Sequence, residues 1–240
     1  MILGVSHIVL TSTNLDRDRT VLETIGWKTE FDQRGLSTHP GKRCVMSTKS
    51  DEQGLVFMRP PQGLPVELIH YSDELEDGSA SPLQITLPRT PHCDHVTSLT
   101  CNLEFSATAS VPSTITHFVA DMRAARRFWE CGVGFTPAPT QPAGDGIFAL
   151  TFASAVPAWR AHLRLVETAS PSQYAVIDGP GFRCLSVVSS DLTRDHDTVI
   201  AAGGVAATGH MELDVNGKRL ELEIIAGPSG VLLELLRPLR

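Results

Sequence analysis

Apolar and polar residues alternate in three separate stretches of the chain, and each alternation ends the same way. In residues 7–13, His7, Val9 and Thr11 share one face of an extended strand, and Ile8 and Leu10 the other. Asn14 follows as a helix N-cap, and Leu15, Val21, Leu22 and Ile25 form the apolar side of a short helix ending at Gly26. The pattern then predicts strands over 27–31, 43–47, 54–58 and 65–71. A second copy has a strand over 115–120, a cap at Asp121 and a helix carrying Ala124, Ala125, Phe128 and Trp129 toward Gly132 and Gly134, with strands near 146–152 and 162–166. The third has a strand over 185–188, a cap at Asp191 and a helix toward Gly203 and Gly204, then strands over 211–215, 219–225 and 231–236.

A repeat of this kind outranks any single local assignment. Aligning the caps Asn14, Asp121 and Asp191 places His7, Thr114 and Cys184 at one equivalent position, seven residues before each cap. Between the first and second copies lies a Ser-, Thr- and Pro-rich stretch, 73–112, with strand-like pieces at 83–87 and 96–105. It is either a structured linker or a worn-down fourth repeat. Within it, His95 precedes Asn102 by the same seven residues, and His92, Cys93, Asp94 and His95 form a short cluster.

The resulting grammar is strand, capped helix, Gly-containing turn, then three strands. It resembles the βαβββ module of the vicinal oxygen chelate superfamily, which includes glyoxalase I, bleomycin resistance proteins and extradiol dioxygenases. The residues carrying the resemblance are HIVLTSTNL with IGW at 25–27, FVADMRAARRFW with VGF at 133–135, and CLSVVSSDL with GGV at 203–205. A second mark is a Gly followed four residues later by an inward acid on the last strand, at Gly63 and Glu67 and again at Gly230 and Glu234. The resemblance implies an α+β fold of repeated βαβββ modules forming curled mixed sheets, with helices packed outside. The organisation expected is a first module at 1–72, the linker or degenerate module at 73–112, and paired second and third modules at 113–240.

In such a cup, ligands to a divalent ion come from the first-strand slot and the last-strand acid. Carried over, these are His7 and Glu67, and His95 would complete a two-His, one-carboxylate face if its strand docks beside the first. Fe, Mn, Ni or Zn would suit that donor set. Glu67 is also the candidate catalytic carboxylate. The later modules depart from the pattern: Thr114 and Cys184 take the His slots, and Arg164 takes the acid slot of the second. They are read as substrate-binding candidates, with Arg164 able to hold a carboxylate or phosphate. Strand parity turns His70 and His117 away from the ligand faces.

The function implied is a metal-dependent enzyme acting on a small oxygenated molecule, as a lyase, isomerase or ring-cleaving dioxygenase. The alternative is a metal-free small-molecule binding or sequestration protein of the antibiotic-resistance type. Composition narrows the partners. A net charge of −7 with 20% charged residues gives no broad basic footprint for nucleic acid. No apolar run approaches a membrane span, and residues 1–10 lack the features of a secretory signal. Five cysteines without a CxxC pair suggest reduced thiols in the cytoplasm. No GxGxxG, P-loop, GxSxG or HExxH pattern is present. An odd module count leaves the first module to pair with the 73–112 stretch or with its own copy across a two-fold axis, so a homodimer is one expectation.

Overall fold

The computed structural model describes residues 1–73, 81–87, 103–105, 113–169, 176–179 and 181–239. The first module comprises β1 (Ile2–Thr11), α1 (Leu15–Thr24), β2 (Lys28–Ser37), β3 (Glu52–Arg59) and β4 (Val66–Tyr71). The middle stretch contributes β5 (Leu83–Leu87) and β6 (Leu103–Phe105). The second module has β7 (Thr114–Val119), α2 (Met122–Arg127), a π-helical turn over Phe128–Val133, β8 (Thr136–Pro137), β9 (Ile147–Phe152) and β10 (Ala161–Glu167). The third has β11 (Gly181–Ser189), α3 (Leu192–Ala201), β12 (Val205–Ala206), β13 (Met211–Val215), β14 (Lys218–Ala226) and β15 (Leu232–Pro238). The expected α+β class holds, and the strands join in one curled, unclosed sheet.

Each helix starts where its cap dictates. The side-chain oxygens of Asn14, Asp121 and Asp191 accept from the backbone N–H groups of Arg17, Ala124 and Arg194, at 3.0, 3.0 and 3.2 Å. The first and third modules share a further device. Ser12 donates to buried Asp18 at 2.7 Å while accepting from the Asn14 N–H, and Ser189 donates to buried Asp195 at 2.7 Å while accepting from the Asp191 N–H. The second module has Val119 and Ala125 at those two positions, both fully buried. Its helix entry is therefore held by apolar packing instead of a buried polar pair.

In every module the first strand runs parallel beside the last: β1 with β4, β7 with β10, and β11 with β15. The modules are joined through their first strands. β1 pairs antiparallel with β11 over most of its length, so the first module is partnered by the third. This corrects the expected pairing of the second module with the third, and it removes the reason for seeking a partner for the first module across a two-fold axis. The second module instead lies beside the middle stretch: β7 pairs antiparallel with β5, and β6 runs parallel beside β5. Among the described residues, that repeats the first-with-last pairing of a module.

Strand parity separates two apolar layers. Ile8, Leu10, Val66, Leu68, Leu185, Val187, Leu233 and Leu235 point to the helix side and pack with Leu15, Leu22 and Ile25. Val9, Ile69, Tyr71, Cys184, Leu232 and Leu236 point to the opposite, cupped side. A one-residue slip of β1 would exchange the two sets, so burial on both faces fixes the register.

One expected strand is absent. Residues 43–47 were expected to be extended, yet Pro40–Val45 forms a 3-10 turn. Pro40 presets the backbone for a helical start, and His39 caps the turn by accepting from the Gly41 N–H at 3.1 Å.

Candidate metal and ligand site

The cup between the first and third modules encloses a hollow of about 110 Å³. His7 on β1, Glu67 on β4 and Glu234 on β15 point into it, with Lys42, Gln53 and a wall of leucines that includes Leu36, Leu55, Leu222 and Leu236. Both glutamates reach the floor through the same local device. Gly63 and Gly230 take positive φ angles of 99° and 78°, which turn the chain into the last strand so that the acid four residues on faces inward.

His7 Nε2 lies 3.6 Å from Glu67 Oε2 and 4.0 Å from Glu234 Oε1. It is buried and makes no hydrogen bond. Its other ring nitrogen is 3.0 Å from the Ser6 hydroxyl, and Phe57 packs edge-on at 5.3 Å between ring centroids. Glu234 is held in turn by the Ser186 hydroxyl, which donates to its Oε1 at 2.8 Å. These neighbours fix the ring and one carboxylate, as second-layer contacts do around metal ligands.

Burial is the main electrostatic force here. It lowers the His7 pKa, with Glu234 opposing and Lys42 reinforcing, so the imidazole is neutral near pH 7. Burial also pushes Glu67 up to about 8, with Glu234 adding to the rise and Lys42 opposing it. The neutral imidazole nitrogen faces two carboxyl groups beyond hydrogen-bond reach and is left without a partner; a cation displacing the Glu67 proton would supply one.

The donor types therefore fit a divalent ion. Their spacing is looser than a formed site: ligands about 2.0–2.2 Å from one ion stand roughly 3–3.5 Å apart. Among the described residues, no group of three or more His, Cys, Asp or Glu side chains is already arranged as a metal cage.

The other sequence candidates fall elsewhere. His95 lies outside the described residues. Thr114 and Arg164 lie on β7 and β10, separated from β11 by β5. Arg164 donates to Thr116 Oγ1 at 3.2 Å, and neither residue lines the hollow. Cys184 is fully buried under the cup, its thiol pushed up by burial and then by Glu234, and it does not line the hollow either. Glu234, in contrast, joins His7 and Glu67. Sequence reasoning missed Lys42 and Gln53. Lys42 lies just outside the expected strand 43–47, and the turn that Pro40-Gly41 marks went unread. A larger depression of about 770 Å³, lined by Arg127, Asp191, Arg194 and Asp197, is open to solvent and holds no comparable group of buried donors.

No family model matches the sequence, and no curated protein matches it. Solved structures do. A single-substitution mutant of glyoxalase I from Zea mays superposes with a TM-score of 0.65 at 15% identity, covering 98% of this chain and 92% of that one. The glyoxalase I structure from Zea mays without a substitution gives a TM-score of 0.60 at 14% identity, with 98% and 92% covered. The chain thus shares the fold of these glyoxalase I structures, the fold its repeated motifs implied.

Proposed function

We propose that the chain is a metal-assisted enzyme acting on a small oxygenated molecule, with His7, Glu67 and Glu234 holding a divalent ion and Glu67 also handling a proton. The observation that carries this reading is the buried, unpartnered Nε2 of His7 facing two carboxylates. Small rotations of the glutamates would bring the three donors to ligand spacing. When bound, an ion such as Fe, Mn, Ni or Zn supplies a Lewis acid that polarises adjacent substrate oxygens.

The chain's own groups provide the rest. The leucine wall makes one side of the hollow apolar. Gln53 Oε1 is buried without a hydrogen-bond partner and lines the hollow, so it offers an acceptor to a substrate hydroxyl. Burial sets the Glu67 carboxyl at about 8 only while no ion is bound; with an ion in place its carboxylate would be the base positioned to take a proton from a carbon beside a carbonyl. That favours isomerase or lyase chemistry over ring cleavage, and the fold shared with glyoxalase I supports the same direction.

The free thiols of Cys44 and Cys131, both exposed, support a reducing compartment such as the cytoplasm. The test of the reading is metal analysis of the purified protein beside His7→Ala and Glu67→Ala. Metal retained by the parent and lost from both variants is the expected result; equal content in all three removes the idea.

A second reading, metal-free small-molecule binding, has one observation in its favour: Lys42 already places a positive charge in the hollow. A metal-free binder keeps its ligand-induced thermal shift in EDTA, whereas the enzyme proposed here loses it.

A further inference from the structure

Lysine is almost never buried unless its charge is paired. Lys42 is only 3% exposed and lines the hollow. Among the described residues it forms no ion pair, because Glu67 and Glu234 approach His7 instead, at 3.6 and 4.0 Å.

Its backbone is clamped on both sides. A Cβ added at Gly41 would stand 2.6 Å from Met211 Sδ, so the turn rests directly on β13. Beyond Lys42, the Ile177 N–H donates to the Val45 carbonyl at 2.7 Å. The N–H groups of Ser47 and Thr48 donate to buried Asp178 at 2.8 and 2.7 Å. The segment is held to residues in and beside the third module, which fixes where the side chain enters the hollow.

We infer that Lys42 is the anion-recognition group of the hollow, and that the molecule taken there is a small monoanion, a 2-oxo or 2-hydroxy carboxylate. This rests on the preceding reading of the hollow as a small-molecule site and adds the charge of its occupant. With a divalent ion bound and both glutamates ionised around it, their charges would cancel, which would leave the ammonium as a net charge of +1. Asp214 also lines the hollow, but it is exposed and its Oδ1 accepts from the Gly217 N–H at 2.9 Å. The leucine walls lower the local dielectric, so the uncompensated charge acts strongly on a carboxylate of the occupant. A volume of about 110 Å³ limits that occupant to a few carbons. The adjacent oxygen of a 2-oxo or 2-hydroxy acid would then lie toward His7 and the glutamates.

The experiment is calorimetric titration of the full chain, loaded with Mn²⁺, with lactate and with its neutral ester, methyl lactate. Metal content is measured on the same samples. Lactate is expected to bind at least tenfold more tightly than the ester. Lys42→Met should abolish that preference without changing metal content, and Lys42→Arg should retain it. Absence of the preference in the parent chain overturns the proposal without reference to any variant, as does its survival in a folded Lys42→Met. A Lys42→Met that changes only metal content marks the lysine as a counter-ion to the glutamates and overturns the proposal too. If the parent holds no metal, the metal reading fails and the charge balance behind the lactate preference goes with it, so that outcome overturns both, whereas a metal-loaded parent without the preference overturns the Lys42 proposal alone.

Discussion

Ser186 donates its hydroxyl to Oε1 of Glu234 over 2.8 Å inside the cup, from the strand position directly opposite His7. The bond does two things. It satisfies one lone pair of a buried carboxylate, and it orients the same oxygen that lies 4.0 Å from His7 Nε2. Removing a group that orients a metal ligand typically costs about 10–100-fold in metal affinity. Ser186→Ala should therefore weaken Mn²⁺ binding by roughly tenfold or more in a competition titration. An unchanged affinity would mean that Glu234 is not a ligand.

Metal uptake should also depend on pH through Glu67. Its folded pKa is raised to about 8 from the ordinary 4.5, so it contributes stability below 4.5 that is lost as pH rises through 8. His7 is shifted the other way, so its contribution is present above 6.5 and lost as pH falls from there. The two oppose each other between 4.5 and 6.5, and from 6.5 to 8 only Glu67 acts. The EDTA-treated chain should lose thermal stability across pH 6.5–8, Glu67→Gln should remove that slope, and added Mn²⁺ should reverse it. A flat profile for the metal-free parent would contradict the shift.

The glycines before the two acids are a stability prediction. At Gly230 the backbone has φ 78°, a region that L side chains rarely adopt. Gly230→Ala should cost about 1–2 kcal/mol in urea unfolding, and it should weaken metal binding by turning β15 at the point that aims Glu234. Gly203, at φ 107° with open space around it, meets only the backbone penalty and sits just past the end of α3, outside the lining of the hollow. Gly203→Ala should lower stability while leaving metal binding intact. Equal effects of both changes on metal binding would show that Gly230 does not position the acid.

These residues also show what the sequence could reveal. Caps, helix stops and the Gly-to-acid spacing are local, each imposed by a few neighbouring backbone groups, so the modules and the floor residues His7, Glu67 and Glu234 were visible. Which module pairs with which is decided by contact between distant strand edges, and alternation within β1 says nothing of whether β11 or another strand lies beside it. One signal did bear on it. Ser12, Asn14 and Asp18 recur as Ser189, Asp191 and Asp195, whereas the second module has Val119, Asp121 and Ala125, so the first and third modules are the matched pair. Lys42 stayed hidden for a different reason: it sits just before the strand-like stretch 43–47, and its inward position depends on Met211 and Asp178, which lie more than a hundred residues away.

On the other side of the sheet, Trp129 Nε1–H donates to His117 Nδ1 at 3.0 Å, with both side chains fully buried. Burial holds His117 down to about 3, so its contribution to stability is complete above 6.5 and is lost as pH falls from 6.5 through 3. Breaking the bond from one side strands the other partner. Trp129→Phe leaves the imidazole nitrogen without its donor, and His117→Leu leaves the indole N–H without its acceptor, each at about 1–3 kcal/mol. Replacing both removes the polar pair together, so the double variant should be less destabilised than the sum of the two singles. Urea unfolding at pH 7 gives the cycle, and thermal melts from pH 7 to 3 give the acid limb, which should be shallower wherever Leu occupies position 117. Additive costs with an unchanged acid limb would mean that the pair contributes packing alone. Neither variant touches the cup, so metal uptake should follow the parent in all three, which separates this structural pair from the site formed by His7, Glu67 and Glu234.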